Sequence, residues 1–354
     1  MSSSMDKSSS SKRLLSGQNV VYAGIAWAVL ALLFYLLFST PVPGEEGLPF
    51  WYSMGTYIFE EVPFLAAAVL CFRNFRSPQI ASGRNVWLGI GLGMLSFFIG
   101  NLVFGWWELG WGLDPDVSPA DLFFVGFYVL LSAGMTLAVI SRRLNLEIWQ
   151  WGIVAAIAVA GIALAVWLSF PEPATASSPP PATASLPATT LVSDRASPNL
   201  PAAPKAAKLT PTLFPATPVV TKLAANPTTA NSEPSKQPPA WVLSLQKQLE
   251  PFADPLGFFY IVCDVFLLIM SAILLLSFWG GRFAQSWRMI AAAAFSFYIA
   301  DMWFNYAINR IPEYQSGSLL EVFWVFSGVL FAIGTSLEYE LSSRSRRAGG
   351  RKRA

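Results

Sequence analysis

The sequence contains no histidine among its 354 residues. Histidine is the usual base of serine and cysteine hydrolases, a common zinc ligand and a common haem ligand, so its absence excludes most sites of these kinds. We find no phosphate-binding loop and no soluble domain that could hold a nucleotide. We therefore predict no catalytic residue, no metal site, no cofactor and no nucleic-acid partner, and we expect that the protein is not an enzyme.

Charged residues and cysteines are also scarce. Only 12% of the residues are charged, whereas soluble domains usually contain about 25%. Hydrophobic residues make up 54% and the mean hydropathy is +0.49, which indicates that most of the surface does not face water. The two cysteines, Cys71 and Cys263, fall near opposite ends of their apolar runs, so we expect no disulfide between them.

Apolar runs of the length needed to cross a bilayer, about 20 residues, recur along the chain. We predict an all-α membrane bundle of eight spans. They cover approximately residues 20–38, 55–72, 86–105, 121–140, 148–169, 256–279, 287–308 and 318–337.

Basic residues cluster on one side of this predicted bundle. They are Lys7, Lys12, Arg13, Arg73, Arg76, Arg84, Arg142, Arg143, Arg282, Arg288, Arg344, Arg346, Arg347, Arg351, Lys352 and Arg353. Cytoplasmic loops are enriched in lysine and arginine. We therefore place both termini in the cytoplasm, with the long loop 171–255 outside.

The composition divides the chain into five parts. Residues 1–18 are predicted to be a disordered cytoplasmic N-terminus, and 341–354 a basic cytoplasmic tail. The first membrane unit spans 19–170. Residues 171–240 are rich in Pro, Ala and Thr and are predicted to be a disordered external linker. The second unit comprises 241–340 and takes 148–169 as its leading helix. It begins with WVLSLQKQLE, which we expect to form a short interfacial helix.

An internal duplication relates the two units. When 87–140 is aligned with 287–340 without a gap, 13 of the 54 pairs are identical. This alignment also pairs Asn101 with Asp301 and Asp121 with Glu321. With a small change of register, Glu61 pairs with Asp264. Four spans per unit would insert both copies the same way up, as two parallel repeats.

Small residues suggest where these helices pack closely. Gly89 and Gly93 form a small-xxx-small pair, which allows two helix backbones to approach each other in a membrane. We interpret this pair as a packing signal rather than a catalytic one.

Acidic and amide side chains inside the predicted spans are costly in hydrocarbon and need an explanation. They gather in the outer half of the bundle. The candidates for a ligand or ion pocket are Glu61, Asn101, Asp121, Asp264, Asp301 and Glu321. No lysine lies in a span, so we expect hydrogen-bond partners such as Asn101, Asn305, Tyr260 and Tyr298.

Three interpretations of these acids remain open. They hold the helices in register, or they form an outward-facing site for a ligand, cation or proton, or they form an intramembrane aspartyl protease. The surrounding residues, VCDV at Asp264 and YIAD at Asp301, do not match the YD and GxGD motifs of such proteases. The third interpretation is therefore the weakest.

The second unit contains FYIVCDVFLLIMSAILLL, then FYIADMWF, then GSLLEVFWVFSGVLFAIG. It resembles the multi-pass membrane sensor regions that precede GGDEF, EAL or histidine-kinase output domains in bacteria. The matching positions are Asp264, Asp301, Gly317, Glu321 and Trp324. The resemblance implies a bacterial cell membrane and a sensing role.

The first-unit phrase SPADLFFVGFYVLLSAG, with Pro119, Asp121 and Tyr128, resembles the same regions. No output domain follows the last span, so a sensor of this kind would pass its signal to a separate cytoplasmic protein. We expect a non-enzymatic sensor-like or scaffold module in the lipid bilayer. The alternative is a small transporter or channel for a cation, proton or amphiphile that uses the same acids. The oligomeric state is not predicted.

Overall fold

The computed structural model describes residues 17–40, 47–113, 117–141, 146–169, 238–278, 284–311 and 314–351. Within these ranges the regular structure is helical, without β-strands. The α-helices are α1 (Gly17–Phe38), α2 (Phe50–Arg76), α3 (Arg84–Gly105), α4 (Asp121–Ser141), α5 (Ile148–Ser169), α6 (Ala240–Leu249), α7 (Ala253–Ser277), α8 (Ala284–Arg310) and α9 (Val322–Arg351). Predictions for 1–16, for the linker between 170 and 237, and for 352–354 lie outside the described residues.

Seven helical segments in the described ranges are long and apolar enough to cross a membrane. They are Gly17–Phe38, Phe50–Arg76, Arg84–Gly110, Asp121–Ile140, Ile148–Leu168, Ala240–Ser277 and Leu319–Arg344. The prediction of a multi-pass helical membrane protein is therefore confirmed. The remaining predicted span, 287–308, lies in α8, which has 27 residues but is not among these apolar segments.

The position of α8 explains its lower hydropathy. It packs along α9 on one side and α7 on another, and it also contacts α5. Trp287, Ile290, Ala293, Ala294 and Ala300 are fully buried in the protein. A helix that is shielded from lipid by its neighbours can carry polar residues at lower cost, because these residues find partners inside the protein.

The helices on either side of the linker pack into one compact unit. In each half, three successive helices pack in chain order, α2 on α3 on α4 and α7 on α8 on α9. The halves meet where α2 packs against α9 and where α4 packs against α7. The leading helices differ, because α1 lies on α9 whereas α5 lies on α7.

Glycines bring the backbones of α3 and α4 into contact. A Cβ atom added at Gly134 would lie 2.8 Å from the amide nitrogen of Ile90, and one at Gly89 would lie 2.9 Å from Gly134 Cα. Gly93 also faces α4, where a Cβ atom would lie 3.1 Å from the amide nitrogen of Leu131. These glycines therefore lie at a close helix–helix crossing.

The same crossing occurs between α8 and α9. A Cβ atom at Gly334 would lie 2.9 Å from the carbonyl oxygen of Ser286, and the Ser286 hydroxyl donates to the Gly334 carbonyl at 2.8 Å. Gly134 and Gly334 are paired in the alignment of the two units. Trp87 and Trp287 are paired in the same alignment, are both fully buried, and contact each other with ring centroids 5.9 Å apart.

Pro63 interrupts the hydrogen-bond ladder of α2. A proline has no amide hydrogen, so the carbonyl four residues earlier, that of Phe59, loses its helical donor. The indole Nε1 of Trp27 on α1 donates to this carbonyl at 3.0 Å, and the Trp27 and Phe59 rings pack with centroids 5.3 Å apart. The contact between α1 and α2 thus compensates for the break beside Glu60.

Tryptophans join the short helix α6 to the end of α3. The chain after α3 continues as a π-helical turn, Trp106–Gly110. Trp241 of α6 packs edge-on against Trp107 and Trp111, with ring centroids 6.0 Å and 5.6 Å away. The segment expected to form an interfacial helix is therefore helical, and it contacts the first half of the protein.

Candidate functional site

Four helices bring two carboxyl groups together around one tyrosine. Tyr128 of α4 lies with its hydroxyl 2.7 Å from Oδ1 of Asp264 on α7. The same hydroxyl lies 2.5 Å from Oδ2 of Asp301 on α8. Trp324 of α9 donates its indole N–H to Oδ1 of Asp301 at 2.5 Å. We call Tyr128, Asp264, Asp301 and Trp324 the carboxyl cluster.

A count of hydrogens shows that the cluster holds a proton of its own. The Tyr128 hydroxyl has one hydrogen, so it can donate to only one of the two carboxyl groups. Both contacts of this hydroxyl can be hydrogen bonds only if one of the two carboxyl groups carries a hydrogen.

A second pair of polar side chains lies in the first half. Asn101 of α3 donates to Oε2 of Glu60 on α2 at 3.1 Å, and both side chains are buried. This hydrogen bond joins α2 to α3 within the first half.

Asn101 contacts Glu60, whereas the sequence comparison selected Glu61 as the candidate pocket residue. Asn101 and Asp301 are paired in the alignment of the two units, and Asp301 shares the Tyr128 hydroxyl with Asp264. The register of α2 relative to α7 is thus one residue away from the predicted pairing. Helix phase around Pro63, which the sequence does not reveal, decides which of two adjacent glutamates meets Asn101.

Glu61 itself is buried but is not part of these contacts. It is 8% exposed, and neither of its carboxylate oxygens has a hydrogen-bond partner in the described part of the chain. It lies next to Glu60 in the sequence and remains a candidate pocket residue without an observed partner.

Asp121, another candidate, caps the start of α4. Its Oδ2 accepts from the backbone N–H of Ser118 at 2.7 Å, in the S-x-x-D pattern of a capping box. Its Oδ1 accepts from the Tyr260 hydroxyl at 2.6 Å, and the Tyr260 ring lies 5.5 Å from that of Tyr128. Asp121 therefore has a structural role and contacts a neighbour of the cluster.

Glu321 performs the same task before α9. It forms a capping box with Ser318, the counterpart of Ser118 in the alignment, and it accepts from the backbone N–H of Gly317 at 2.7 Å. The Tyr314 hydroxyl also donates to Glu321. Burial and the negative charge of Glu321 raise the pKa of Tyr314 well above its usual value, so this hydroxyl stays protonated as a donor.

The remaining expected partners lie elsewhere. The Tyr298 hydroxyl donates to the Gly161 carbonyl at 3.1 Å, and Asn305 accepts from Asn309. Tyr128 and Trp324, which bind the two aspartates, were noticed in the sequence only through the resemblance to sensor regions. A tyrosine within an apolar run gives no signal that it will face an acid on a distant helix.

Among the described residues, no basic side chain hydrogen-bonds to Glu60, Asp264 or Asp301. Their hydrogen-bond partners are an amide, a phenol and an indole. A pair of buried carboxyl groups without a cation is balanced by protons or by a bound cation. This arrangement can hold and exchange a proton, or bind a small cation in its place.

No protein-family model, curated protein or solved structure matches this chain.

Proposed function

We propose that this chain is a non-enzymatic, sensor-like membrane module in which the carboxyl cluster is the sensing site. The observation that supports this most directly is the Tyr128 hydroxyl placed between Asp264 and Asp301. The proposed signal is occupancy of this site by a proton, with a small monovalent cation as its competitor. The loss of one proton would leave two negative charges next to each other in apolar surroundings.

The location of the cluster supports a sensing role. Its four residues come from α4 in the first half and from α7, α8 and α9 in the second half. Repulsion between Asp264 and Asp301 would push α7 and α8 apart, and both carboxyl groups also contact Tyr128 of the first half. A change of charge at this point would therefore change how the helices pack, and such a change of packing is what a sensor needs.

We also propose that the halves are parallel repeats. Support comes from contacts at corresponding positions of the two halves. Gly134 contacts Ile90 and Gly334 contacts Ile290, and Asp121 and Glu321 accept from the backbone N–H groups of Ser118 and Ser318. The order in which α2, α3 and α4 pack also recurs in α7, α8 and α9.

The packing of α8 supports eight crossings instead of seven. The helix contacts α9 at Ser286–Gly334 near one end and at Asp301–Trp324 further along. It therefore runs antiparallel to an apolar spanning helix, and the two contacts are ~22 Å apart along α8 and ~15 Å apart along α9 at ~1.5 Å per residue. With eight crossings, both termini lie on the same side, which the basic residues assign to the cytoplasm of a bacterial cell. A separate cytoplasmic protein would then receive the signal.

Intrinsic tryptophan fluorescence tests the sensing site. The Trp324 indole donates to Asp301, so a change in the charge of the cluster alters its emission. We expect the emission of purified protein to titrate with pH, and this change to be absent in Asp264→Asn, Asp301→Asn and Trp324→Phe. Asp254→Asn is the matched control, because Asp254 is exposed on the same helix as Asp264. An identical titration in all variants would overturn the proposal.

Transport by the same acids is the second candidate. It is favoured by the contact of Tyr260 with both Asp121 and the Tyr128 ring, which connects the cluster to the start of α4. Proteoliposomes loaded with a pH-sensitive dye distinguish the two functions. The sensing proposal expects no proton or cation flux above that of empty liposomes. Flux that disappears in Asp264→Asn but not in Asp254→Asn would establish transport instead.

A further inference from the structure

Glu61 of α2 is a buried acid that the carboxyl cluster does not use. Its side chain is 8% exposed, and neither carboxyl oxygen has a hydrogen-bond partner among the described residues. The adjacent Glu60, by contrast, accepts from Asn101. Buried polar side chains nearly always have a partner, so an acid that lacks one calls for a specific explanation.

Glu61 lies near the middle of a membrane-spanning helix. The helix α2 runs from Phe50 to Arg76, so Glu61 is two residues from its midpoint, or ~3 Å at ~1.5 Å per residue. The first basic residue of this helix is Arg73, ~18 Å further along the axis at the same rise. An ionised carboxylate without a partner would be very costly at this depth, and Glu61 is therefore in its neutral, protonated form.

The face of α2 that carries Glu61 is open to the bilayer on both sides of the acid. Residues three before and four after a helical position lie on the same face of the helix. At these positions, Ile58 and Leu65 are exposed, and Val62 next to Glu61 is exposed as well. A molecule dissolved in the bilayer can therefore come within one helical turn of the carboxyl group without passing through water.

We propose that Glu61 binds a lipophilic amine that enters from the bilayer. The amine arrives neutral, and the Glu61 carboxyl group transfers its proton to the amine nitrogen. The O–H bond breaks, an N–H bond forms, and an ammonium–carboxylate pair remains. Neither partner has to enter the apolar interior as an isolated ion, which would be the largest cost of binding.

The ammonium N–H group then supplies the donor that the Glu61 oxygens lack, in a charge-assisted hydrogen bond. The alkyl part of the amine lies along the exposed apolar side chains of α2. This site does not depend on the function proposed for the carboxyl cluster, so Asp264→Asn should keep amine binding unchanged.

Binding of a tertiary amine to the full chain in lipid nanodiscs tests the site. The probes are radiolabelled dodecyldimethylamine and dodecyltrimethylammonium, a quaternary ion that has no lone pair to accept a proton. We expect the amine to bind above the background of empty nanodiscs and the quaternary ion to bind much more weakly. Glu61→Gln should weaken amine binding about tenfold or more, because a charge-assisted hydrogen bond contributes at least that factor. Glu250→Gln is the matched control, since Glu250 is exposed and lies outside α2.

Reaction with dicyclohexylcarbodiimide, which dissolves in the bilayer, is a second measurement. A protonated carboxyl group adds across one C=N bond of this reagent, and the adduct rearranges to a stable N-acylurea. We expect peptide mapping to find the adduct at Glu61, and the tertiary amine to protect against it. Glu61→Leu separates binding from folding. It should lose amine binding while its thermal midpoint is unchanged or higher, because an apolar group replaces an unsatisfied polar one.

Equal amine binding by Glu61→Gln and Glu250→Gln would overturn the proposal, as would equal binding of the two probes by the unmodified chain. Absence of the adduct at Glu61 would show that the acid is not reached from the bilayer and would also overturn it. Loss of binding in Glu60→Gln but not in Glu61→Gln would place the amine at the other glutamate and contradict the assignment.

Discussion

The polar groups at the centre of this bundle are held by specific donors instead of counterions. Each carboxyl in the cluster accepts from a phenol or an indole, and the Glu60 carboxyl accepts from an amide. A carboxyl group left without such a donor in an apolar interior is destabilising by more than the bond itself contributes. The effect of removing one donor is therefore measurable.

Tyr128→Phe removes the hydroxyl that serves both aspartates and keeps the ring. We expect the free energy of unfolding to fall by about 1–2 kcal/mol, seen as a lower thermal midpoint in detergent. Tyr22→Phe is the control, because Tyr22 is 70% exposed on α1. Equal midpoints for the two variants would show that the hydroxyl does not stabilise the cluster.

Trp27→Phe should destabilise the protein through the carbonyl of Phe59, which Pro63 deprives of its helical donor. Pro63→Ala restores an amide hydrogen at the right position. The loss caused by Trp27→Phe should therefore be smaller by about 1 kcal/mol in the Pro63→Ala background. A double-mutant cycle of thermal unfolding measures this coupling, and additive effects would contradict the explanation.

The ends of the helices explain two of the six candidate acids and amides. Asp121 and Glu321 accept from the backbone N–H groups of Ser118 and Ser318 at corresponding positions before α4 and α9, and the capping box is complete at Glu321. The S-x-x-D and S-x-x-E patterns are visible in the sequence. We predicted both acids as pocket residues because an acid inside a span is energetically costly. Both lie at the edges of their spans, however, where a helix cap is the simpler explanation.

Asp121→Ala and Glu321→Ala should each lower stability by about 1 kcal/mol. Because these acids are outside the carboxyl cluster, both variants should keep the pH-dependent change in tryptophan emission. Thermal unfolding and the fluorescence titration, measured on the same preparations, separate the two roles. If either variant lost the pH-dependent change in tryptophan emission at unchanged stability, that acid would belong to the sensing site.

Glycine positions report how closely the helices pack. At Gly134 and Gly334, an added methyl group meets backbone atoms that cannot rotate away. Gly134→Ala and Gly334→Ala should each be destabilising by about 1–3 kcal/mol. Gly152→Ala on α5 is the matched control, because nothing lies within 4 Å of its added Cβ, and it should be neutral or slightly stabilising.

The whole molecule raises the question of whether seven or eight helices cross the membrane. Epitope tags at the N-terminus, at the C-terminus and within 171–237 answer it in intact cells. We expect both terminal tags to be protected and the linker tag to be accessible to an impermeant reagent. Terminal tags on opposite sides would show seven crossings and would place α8 outside the membrane plane.

The apolar helices were predictable because an isolated stretch of about 20 apolar residues already contains the information that partitions it into a bilayer. The span 287–308 in α8 was predicted in the same way, although α8 is not among the segments that are apolar enough to cross a membrane. Its burial could not be predicted, because the burial of one helix depends on how its neighbours pack around it.

The sequence by itself determined that this is a helical membrane protein, because the composition and length of the apolar runs are enough to partition them from water into a bilayer. It also excluded most histidine chemistry, since the chain contains no histidine. Only the tertiary structure decided that Glu60 rather than Glu61 meets Asn101 and that Tyr128 joins Asp264 to Asp301. Both choices depend on helix phase and on contacts between helices far apart in the chain. Close packing sets such contacts, and no local pattern encodes them.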